Sequence, residues 1–263
     1  MDKKRSDYYI KSIRRAIQAL NSFTSEEREW GVTELGKKLN LHKSTIHRIL
    51  ITLEDEGFVT KNKVTQKYRL GMKLFELGHI IRYQIEIRTY ALPIMEKLSQ
   101  KTEESVTLSI ISGKKRVVIE KVESIHDIRQ VIQLGKPIPI YCGASSKLLL
   151  AFLPDEEINK IIKKKKLVSL GPNTITNPVK LKKHLEEIRR KGYAISYEER
   201  ILGSASVAAP IWDYKGEIIA SLAIVGPINR FDKKKIPSFL SLVTEAANKL
   251  SNLGGGRIPS SKL

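Results

Sequence analysis

The stretch from Val32 to Gly71 constrains the fold of this chain more than any other feature. In its centre, apolar residues recur at positions i, i+3, i+4 and i+7, the spacing of one face of an α-helix. These residues are Ile46, Ile49, Leu50 and Leu53. Gly57 follows them and predicts the end of the helix, since glycine readily adopts the left-handed backbone that closes a helix.

A shorter helix is predicted just upstream, because Val32, Leu35 and Leu39 form a second apolar stripe. Thr33 is the predicted N-cap of that helix. Downstream, residues 58–60 and 67–70 predict two short strands around a basic loop. Two helices joined by a tight turn and followed by a hairpin describe a winged helix-turn-helix.

The second helix of this unit carries polar and basic side chains near its N-terminus, where a recognition helix meets base edges and phosphates. Its exposed face has no acid at that end, and the hairpin is basic. A plain helical packing unit and a protein-interaction module are the alternatives, and the basic hairpin favours DNA over both. The predicted DNA-contacting residues are Lys43, Ser44, Thr45, His47, Arg48, Lys61 and Lys63.

Charge supports a polyanionic partner without locating it. The chain has 47 Lys and Arg against 28 Asp and Glu, a formal charge of +19. Residues 1–80 hold 16 basic and 10 acidic residues, and residues 81–263 hold 31 and 18. The excess is therefore spread along the chain rather than concentrated in the helix-turn-helix.

Cysteine content and hydropathy indicate a cytoplasmic protein. The single cysteine, Cys142, excludes an intramolecular disulfide and a CxxC metal site, and it fits a reducing compartment. No apolar run is long enough for a membrane span, and the charged residues after Met1 do not predict a signal peptide. We expect no membrane partner.

Two further helices are predicted around the winged unit. An N-terminal helix should cover it with a stripe of apolar residues, which are Ile10, Ile13, Ile17 and Leu20, with Ala16 and Phe23 beside them. A linker helix should occupy residues 72–91, and its apolar residues form two stripes. One stripe comprises Leu74, Leu77, Gly78, Ile81 and Ile85, and the other Ile80, Tyr83, Ile87 and Tyr90. Two stripes require two packing partners, and one of them can be a second copy of the chain. Pro93 is predicted to interrupt the helical pattern as a hinge.

The second half, residues 92–253, is predicted to be an α+β domain with an antiparallel sheet. A helix over residues 94–102 precedes strands at 106–111, 117–122 and 128–134. A loop over residues 137–143 leads to helices at 145–152, 155–166 and 179–191. Strands at 193–198, 204–212 and 217–225 and a helix at 234–253 follow, and residues 254–263 are predicted to be disordered.

The chain from Tyr8 to Leu253 resembles the IclR-type bacterial transcriptional regulators. Short segments in matching order carry the resemblance, and they lie at 43–50, 57–59, 68–71, 139–147, 192–199, 203–213 and 226–230. The resemblance implies an N-terminal winged helix (1–71), a linker helix (72–91) and a C-terminal effector domain of GAF-like topology (92–253). It also implies homodimers or homotetramers that bind operator DNA and small, usually anionic, metabolites.

A ligand pocket is predicted where residues 143–147 meet the last strands. Gly143, Ala144, Ser145 and Ser146 precede a helix, and the free N–H groups at a helix start bind anions. The alternative is that the two serines only cap the helix. The resemblance adds four pocket positions, which are Ser196, Ser206, Ala223 and Val225. At Ala223 and Val225 some relatives carry serines, so this pocket is expected to be less polar than theirs.

No catalytic, metal or cofactor site is predicted. Glu198 and Glu199 are adjacent on a predicted strand, so they point to opposite faces and cannot act as a carboxylate pair. The histidines lack metal-ligand spacing, and no nucleophile elbow occurs. Cys142 is interpreted as a loop or pocket-wall residue. The sequence thus predicts a ligand-responsive transcription regulator, a repressor of a metabolic operon that senses a small carboxylate. The rivals are an enzyme or a protein-interaction module with a fused winged helix.

Overall fold

A computed structural model describes residues 10–24, 26–77, 86–164 and 167–253. The chain forms two compact units, Met1–Ile85 and Glu86–Leu263. In the first, the helices are α1 (Lys11–Leu20), α2 (Val32–Leu39) and α3 (Lys43–Asp55), and the strands are β1 (Val59–Lys61) and β2 (Tyr68–Leu70). The two strands pair antiparallel, and a short helix follows at residues 72–77. The winged helix-turn-helix is confirmed.

The periodicity of α3 explains how this unit packs. Ile46 and Leu50 are fully buried against Leu35 of α2, while Ile49 and Leu53 are half-buried at the edge of the core. Gly57 stops the helix as predicted, with a φ of +74° and its N–H donating to the Glu54 carbonyl at 2.9 Å.

Two details of this unit were predicted wrongly. Ile10, Ile13 and Ile17 are all more than half exposed, whereas Leu20 and Phe23 pack with the core as predicted, together with the fully buried Ala19. The residue that precedes α2 is Gly31, whose N–H donates to the Glu34 carboxylate at 2.9 Å. Thr33 therefore lies inside α2 and does not cap it.

The second unit is one six-stranded antiparallel sheet between two helical layers. Its helices are α4 (Glu86–Thr102), α5 (Ala144–Ala151), α6 (Asp155–Lys164), α7 (Pro178–Lys191) and α8 (Lys235–Leu253). Its strands are β3 (Ser105–Ser112), β4 (Lys115–Val122), β5 (Pro137–Pro139), β6 (Ala194–Tyr197), β7 (Ser204–Trp212) and β8 (Ile218–Pro227), in the order β5-β4-β3-β8-β7-β6. The predicted α+β class is confirmed.

Alternation along the strands gives the sheet two different faces. One face carries large aliphatic residues such as Leu108, Val207 and Leu222, which pack with α4 and α8. The other carries small residues such as Ala208 and Ala223, which pack with α5, α6 and α7. Small side chains beneath α5 leave room for a cavity at that end of the sheet.

Two predictions for this unit were wrong. Pro93 does not separate two helices, because it lies inside α4, where burial of Ala91 and Met95 on either side holds the helix together. Residues 128–134 form no strand. Ile128 and Val131 are about three-quarters exposed, and residues 137–139 occupy the edge of β4 instead. Prolines suit such an edge, since they lack the N–H that a central strand would need.

Some predictions fall partly outside the described residues. Of the two linker stripes, Leu74 and Ile87 are half-buried, and Leu77 and Tyr90 are exposed. The remaining stripe residues, Gly78, Ile80, Ile81, Tyr83 and Ile85, and the tail at 254–263 lie outside the part of the chain that the structure describes.

Candidate functional site

A cavity of about 250 Å³ lies between the sheet and the N-terminus of α5. Three of its wall residues are adjacent across the sheet, because Ser196 of β6 pairs with Ser206 of β7, which pairs with Val225 of β8. Opposite them are the first residues of α5. The polar side chains around the cavity are Thr107, Arg116, Gln130, Gln133, Lys136, Ser145, Ser196, Arg200, Ser204 and Ser206.

Most of the predicted pocket residues come together here. The members that border the cavity are Gly143, Ala144, Ser145, Ser196, Ser206 and Val225. Two others do not border it. Ser146 is buried in α5 with a hydroxyl that lacks a hydrogen-bond partner, and Ala223 is fully buried under α5. The role of all eight in binding stays a prediction.

One of the free backbone N–H groups at the N-terminus of α5 already has a hydrogen-bond acceptor within the protein. Gly143 precedes the helix with a φ of +84°, a conformation that glycine adopts without strain. Its N–H donates to Glu199 Oε2 at 3.0 Å. The next three N–H groups have no acceptor within the helix, because the first helical bond runs from Lys147 N–H to the Gly143 carbonyl.

Glu199 also belongs to a buried polar cluster behind the cavity. Its other carboxylate oxygen accepts from Lys147 Nζ, which lies 2.9 Å from His184 Nε2. Burial lowers the pKa of Lys147, against the opposing effect of the Glu199 carboxylate. Burial and then the Lys147 charge also lower the pKa of His184, so that ring is neutral and can accept from Lys147.

Two arginines of the cavity were missed in the sequence. Arg116 of β4 is about nine-tenths buried, and Arg200 lies in the loop after β6. Burial and the positive charge of Arg200 lower the pKa of Arg116 to about 10, so it remains charged at neutral pH. One signal in the sequence could have identified Arg116. It lies two residues before Val118 in a predicted strand, so strand alternation places its charge on the same face as a buried valine.

The structure shows the surroundings of Cys142 and of the Glu198–Glu199 pair. Cys142 is buried in the cavity wall, as interpreted, and burial raises the pKa of its thiol to about 11. Glu198 turns away from Glu199, and its carboxylate accepts from the Gly203 N–H at 2.8 Å. Among the described residues, no group of three or more His, Cys, Asp or Glu side chains is placed to hold a metal ion.

The predicted DNA-contacting residues lie on one helix end and one hairpin. Lys43, Ser44, His47 and Arg48 are exposed at the start of α3, with Thr45 half-buried between them. The cap of α3 was missed in the sequence. It is His42, whose Nδ1 lies 2.8 Å from Ser44 Oγ and accepts from the Ser44 N–H. This contact fixes the start of α3 and leaves the neighbouring basic side chains in solvent.

The two wing lysines differ in their surroundings. Lys63 is exposed in the loop between β1 and β2, whereas Lys61 is half-buried, with its ammonium 5.7 Å from the centre of the Tyr68 ring. Lys67 is neutralised by a 2.8 Å ion pair with Glu34 of α2. Lys63 is therefore better placed for a nonspecific phosphate contact than the other two.

Comparison with known proteins identifies both units. Residues 12–63 match the IclR helix-turn-helix domain, and residues 81–252 match the family described as bacterial transcriptional regulator IclR C-terminal. The helices in the described part of the chain include none long and apolar enough to cross a membrane.

Relatives of similar length match almost the whole chain. The HTH-type transcriptional regulator XynR of Escherichia coli is 32% identical over 246 residues, which cover 94% of this chain and 98% of the relative. The transcriptional repressor IclR of E. coli is 28% identical and covers 94% and 91%. The crystal structure of the Thermotoga maritima IclR matches with a TM-score of 0.73 at 33% identity, and the match covers 94% of this chain and all of that one.

Proposed function

Because the chain belongs to the IclR family of bacterial transcriptional regulators, we propose that it represses a metabolic operon in response to a small carboxylate-bearing metabolite. The proposed division of labour is a DNA-binding domain at residues 1–71, a linker helix at 72–91 and an effector domain at 92–253. The relative from E. coli named as a repressor supports repression over activation. We place the protein in the cytoplasm, where its operator would be.

The carboxylate is supported by one observation above all. The cavity at the N-terminus of α5 is bordered by Arg116 and Arg200, and its described lining contains no Asp or Glu. Arginine pairs with carboxylates in a bidentate geometry, and the unpaired N–H groups of α5 add partial positive charge. Catalysis is disfavoured by the same cavity, because its cysteine is buried with a raised pKa.

The operator side of the proposal rests on α3 and the wing. We propose that Arg48 and the start of α3 contact bases and that Lys61 and Lys63 contact phosphates. DNase footprinting on the promoter beside the protein's own gene tests DNA binding directly. A protected site there supports a transcription regulator. If no site is protected and the winged helix binds another protein instead, the interaction module is supported.

Arg48→Ala should reduce the preference for operator over random DNA by about 1–3 kcal/mol, the usual value of a bidentate base contact. Lys63→Ala is the matched control, because a lost phosphate contact weakens binding to both DNAs equally and reduces the salt slope by about 1. Fluorescence anisotropy with both DNAs at several salt concentrations measures each effect. Equal losses on both DNAs in Arg48→Ala would refute base reading by this residue.

A homodimer or homotetramer is the third part of the proposal. The apolar stripes of residues 72–91 and the two-fold symmetry of typical operators support it. Leu77→Glu, on one of those stripes, should yield monomers that no longer bind operator, because a charge in an apolar interface is costly. Val179→Glu, at an equally apolar but three-quarters exposed position of α7, is the control. Sedimentation of an unchanged oligomer in Leu77→Glu would assign the stripe to packing within one chain.

A further inference from the structure

The effector cavity holds more positive charge than one carboxylate can balance. Arg116 and Arg200 both border it, and their charges repel each other. The acid that lies nearest in the chain to Arg200 is Glu199, and it is already committed to Lys147 and the Gly143 N–H. Neither arginine has a salt bridge to an acid in the described residues.

Arg116 shows how incomplete its pairing is. The side chain is about nine-tenths buried, and its Nη1 donates to Ser109 Oγ at 3.3 Å, a neutral and long contact. Its Nε is buried and has no hydrogen-bond partner. Buried charges are normally paired, since an uncompensated one is strongly destabilising. Within the residues that the structure describes, this guanidinium therefore has no ionic partner, and a bound anion would supply one.

Further unpaired atoms of the same cavity point to a ligand with polar groups. Thr107 Oγ1 and Gln130 Oε1 are buried without partners, and both residues line the cavity. Val118, Ile138 and Val225 supply apolar walls between the polar groups. The cavity of about 250 Å³ is large enough for a small organic ligand rather than for ordered water alone.

We infer that the effector is a small organic dianion, one that presents two negative charges to the guanidinium groups of Arg116 and Arg200. This inference rests on the proposed function, and it adds the charge and size of the ligand. A monoanion could balance the charge of only one guanidinium and would leave the buried Arg116 or the half-buried Arg200 without a counter-charge. A dicarboxylate of three to six carbon atoms supplies both charges and agrees with the proposed carboxylate effector. A phosphate monoester of that size has the same charge, and calorimetric titration distinguishes the two.

The positions of the two arginines also change which groups we expect to make the main contacts with the anion. The N-terminus of α5 was the predicted site, and Glu199 already occupies its first N–H group. A second carboxylate at the same point would meet the negative charge of Glu199 at close range. The arginines, on β4 and on the loop before β7, carry no such competing acid, so they make the main ionic contacts of the ligand.

Calorimetric titration of the full chain with matched ligand pairs at pH 7.5 tests the inference. Each pair compares a dianion with a monoanion of nearly the same shape: malate against 3-hydroxybutyrate, 2-oxoglutarate against 2-oxopentanoate, adipate against hexanoate, and glycerol 3-phosphate against its phosphate methyl ester. At least one dianion should bind about tenfold or more tightly than its partner, since a charge-assisted pair is lost in the partner. The series that binds distinguishes a dicarboxylate from a phosphate ester.

Arg200→Gln should lose most of this preference, because one of the two guanidinium groups that receive the ligand's charges is gone. Arg200→Lys keeps the charge without the planar fork and should retain part of the preference. Two results would overturn the inference: equal affinity for both members of every pair in the native protein, or no binding of any dianion at millimolar concentration. Either result leaves a footprint on the operator unaffected, so it would not be confused with failure of the proposed function.

Discussion

Lys147→Met should lower the free energy of unfolding of the C-terminal unit by about 3–5 kcal/mol, the typical cost of breaking a buried ion pair. Lys147 is fully buried, and the substitution leaves the Glu199 carboxylate, itself 7% exposed in its side chain, without its cation. Methionine fills nearly the same volume, so the loss reports charge rather than a cavity. This cluster lies beside the proposed pocket, and we expect removal of only one of its two charges to destabilise it.

Urea denaturation followed by Trp212 fluorescence measures this effect. Trp212 packs edge-to-face on Phe152, with ring centres 4.9 Å apart, so its signal reports on the C-terminal unit. A Trp30→Phe background removes the second tryptophan. Lys160→Met is the control, because Lys160 is exposed and its ion pair with Glu156 is 3.7 Å long.

The double variant Lys147→Met/Glu199→Gln should recover much of the lost stability. It removes both charges, and the glutamine oxygen can still accept from the Gly143 N–H. A double variant as unstable as Lys147→Met alone would show that the lost stability arises from packing rather than from the unpaired carboxylate.

Ser206→Phe should reduce effector affinity by about a hundredfold or more, because the bulky ring fills a small cavity that the ligand must enter. Ser206 is half-buried in the middle of the cavity wall, between Ser196 and Val225 on the neighbouring strands. Calorimetry with an effector identified by screening carboxylates measures the loss.

Ser206→Ala separates volume from hydrogen bonding in this test. It keeps the space and removes only the hydroxyl, so affinity should fall by no more than the value of one neutral hydrogen bond, about 0.5–1.5 kcal/mol. Circular dichroism should show that both variants fold. Effector affinity at the native level in a folded Ser206→Phe variant would place the pocket elsewhere.

The parts of the fold that could be predicted are those that depend on local pattern. The stripe through Ile46 and Leu50 and the stop at Gly57 define α3, because helix periodicity and a left-handed glycine are local signals. Pattern failed where tertiary packing decided the outcome. The isoleucines of α1 have the spacing of a core stripe, yet they are more than half exposed and Ala19 is buried instead. Helix α4 continues through Pro93, with Ala91 and Met95 buried on either side.

The candidate site divides in the same way. The small residues at 143–145 and Ser206 were predictable, because a helix start and strand alternation determine their positions, whereas Ser196 was predicted from the family resemblance alone. Arg116 and Arg200 could not be predicted from local pattern, because β4 and the loop after β6 are far apart in the sequence. Only the folded sheet brings the two side chains to one cavity. The buried pairing of Lys147 with Glu199, 52 residues apart, is hidden for the same reason.

We propose that occupation of this cavity controls operator binding, and operator affinity with and without effector tests this most directly. Fluorescence anisotropy of a labelled operator should show that effector changes the affinity of the native protein by about 5–150-fold, the usual range of such coupling. Ser206→Phe should bind the operator as the native protein does without effector, and added effector should not change that affinity. Two results would contradict this proposal. One is a native protein whose operator affinity does not change with effector, and the other is a Ser206→Phe variant whose operator affinity changes with effector as much as that of a responsive native protein.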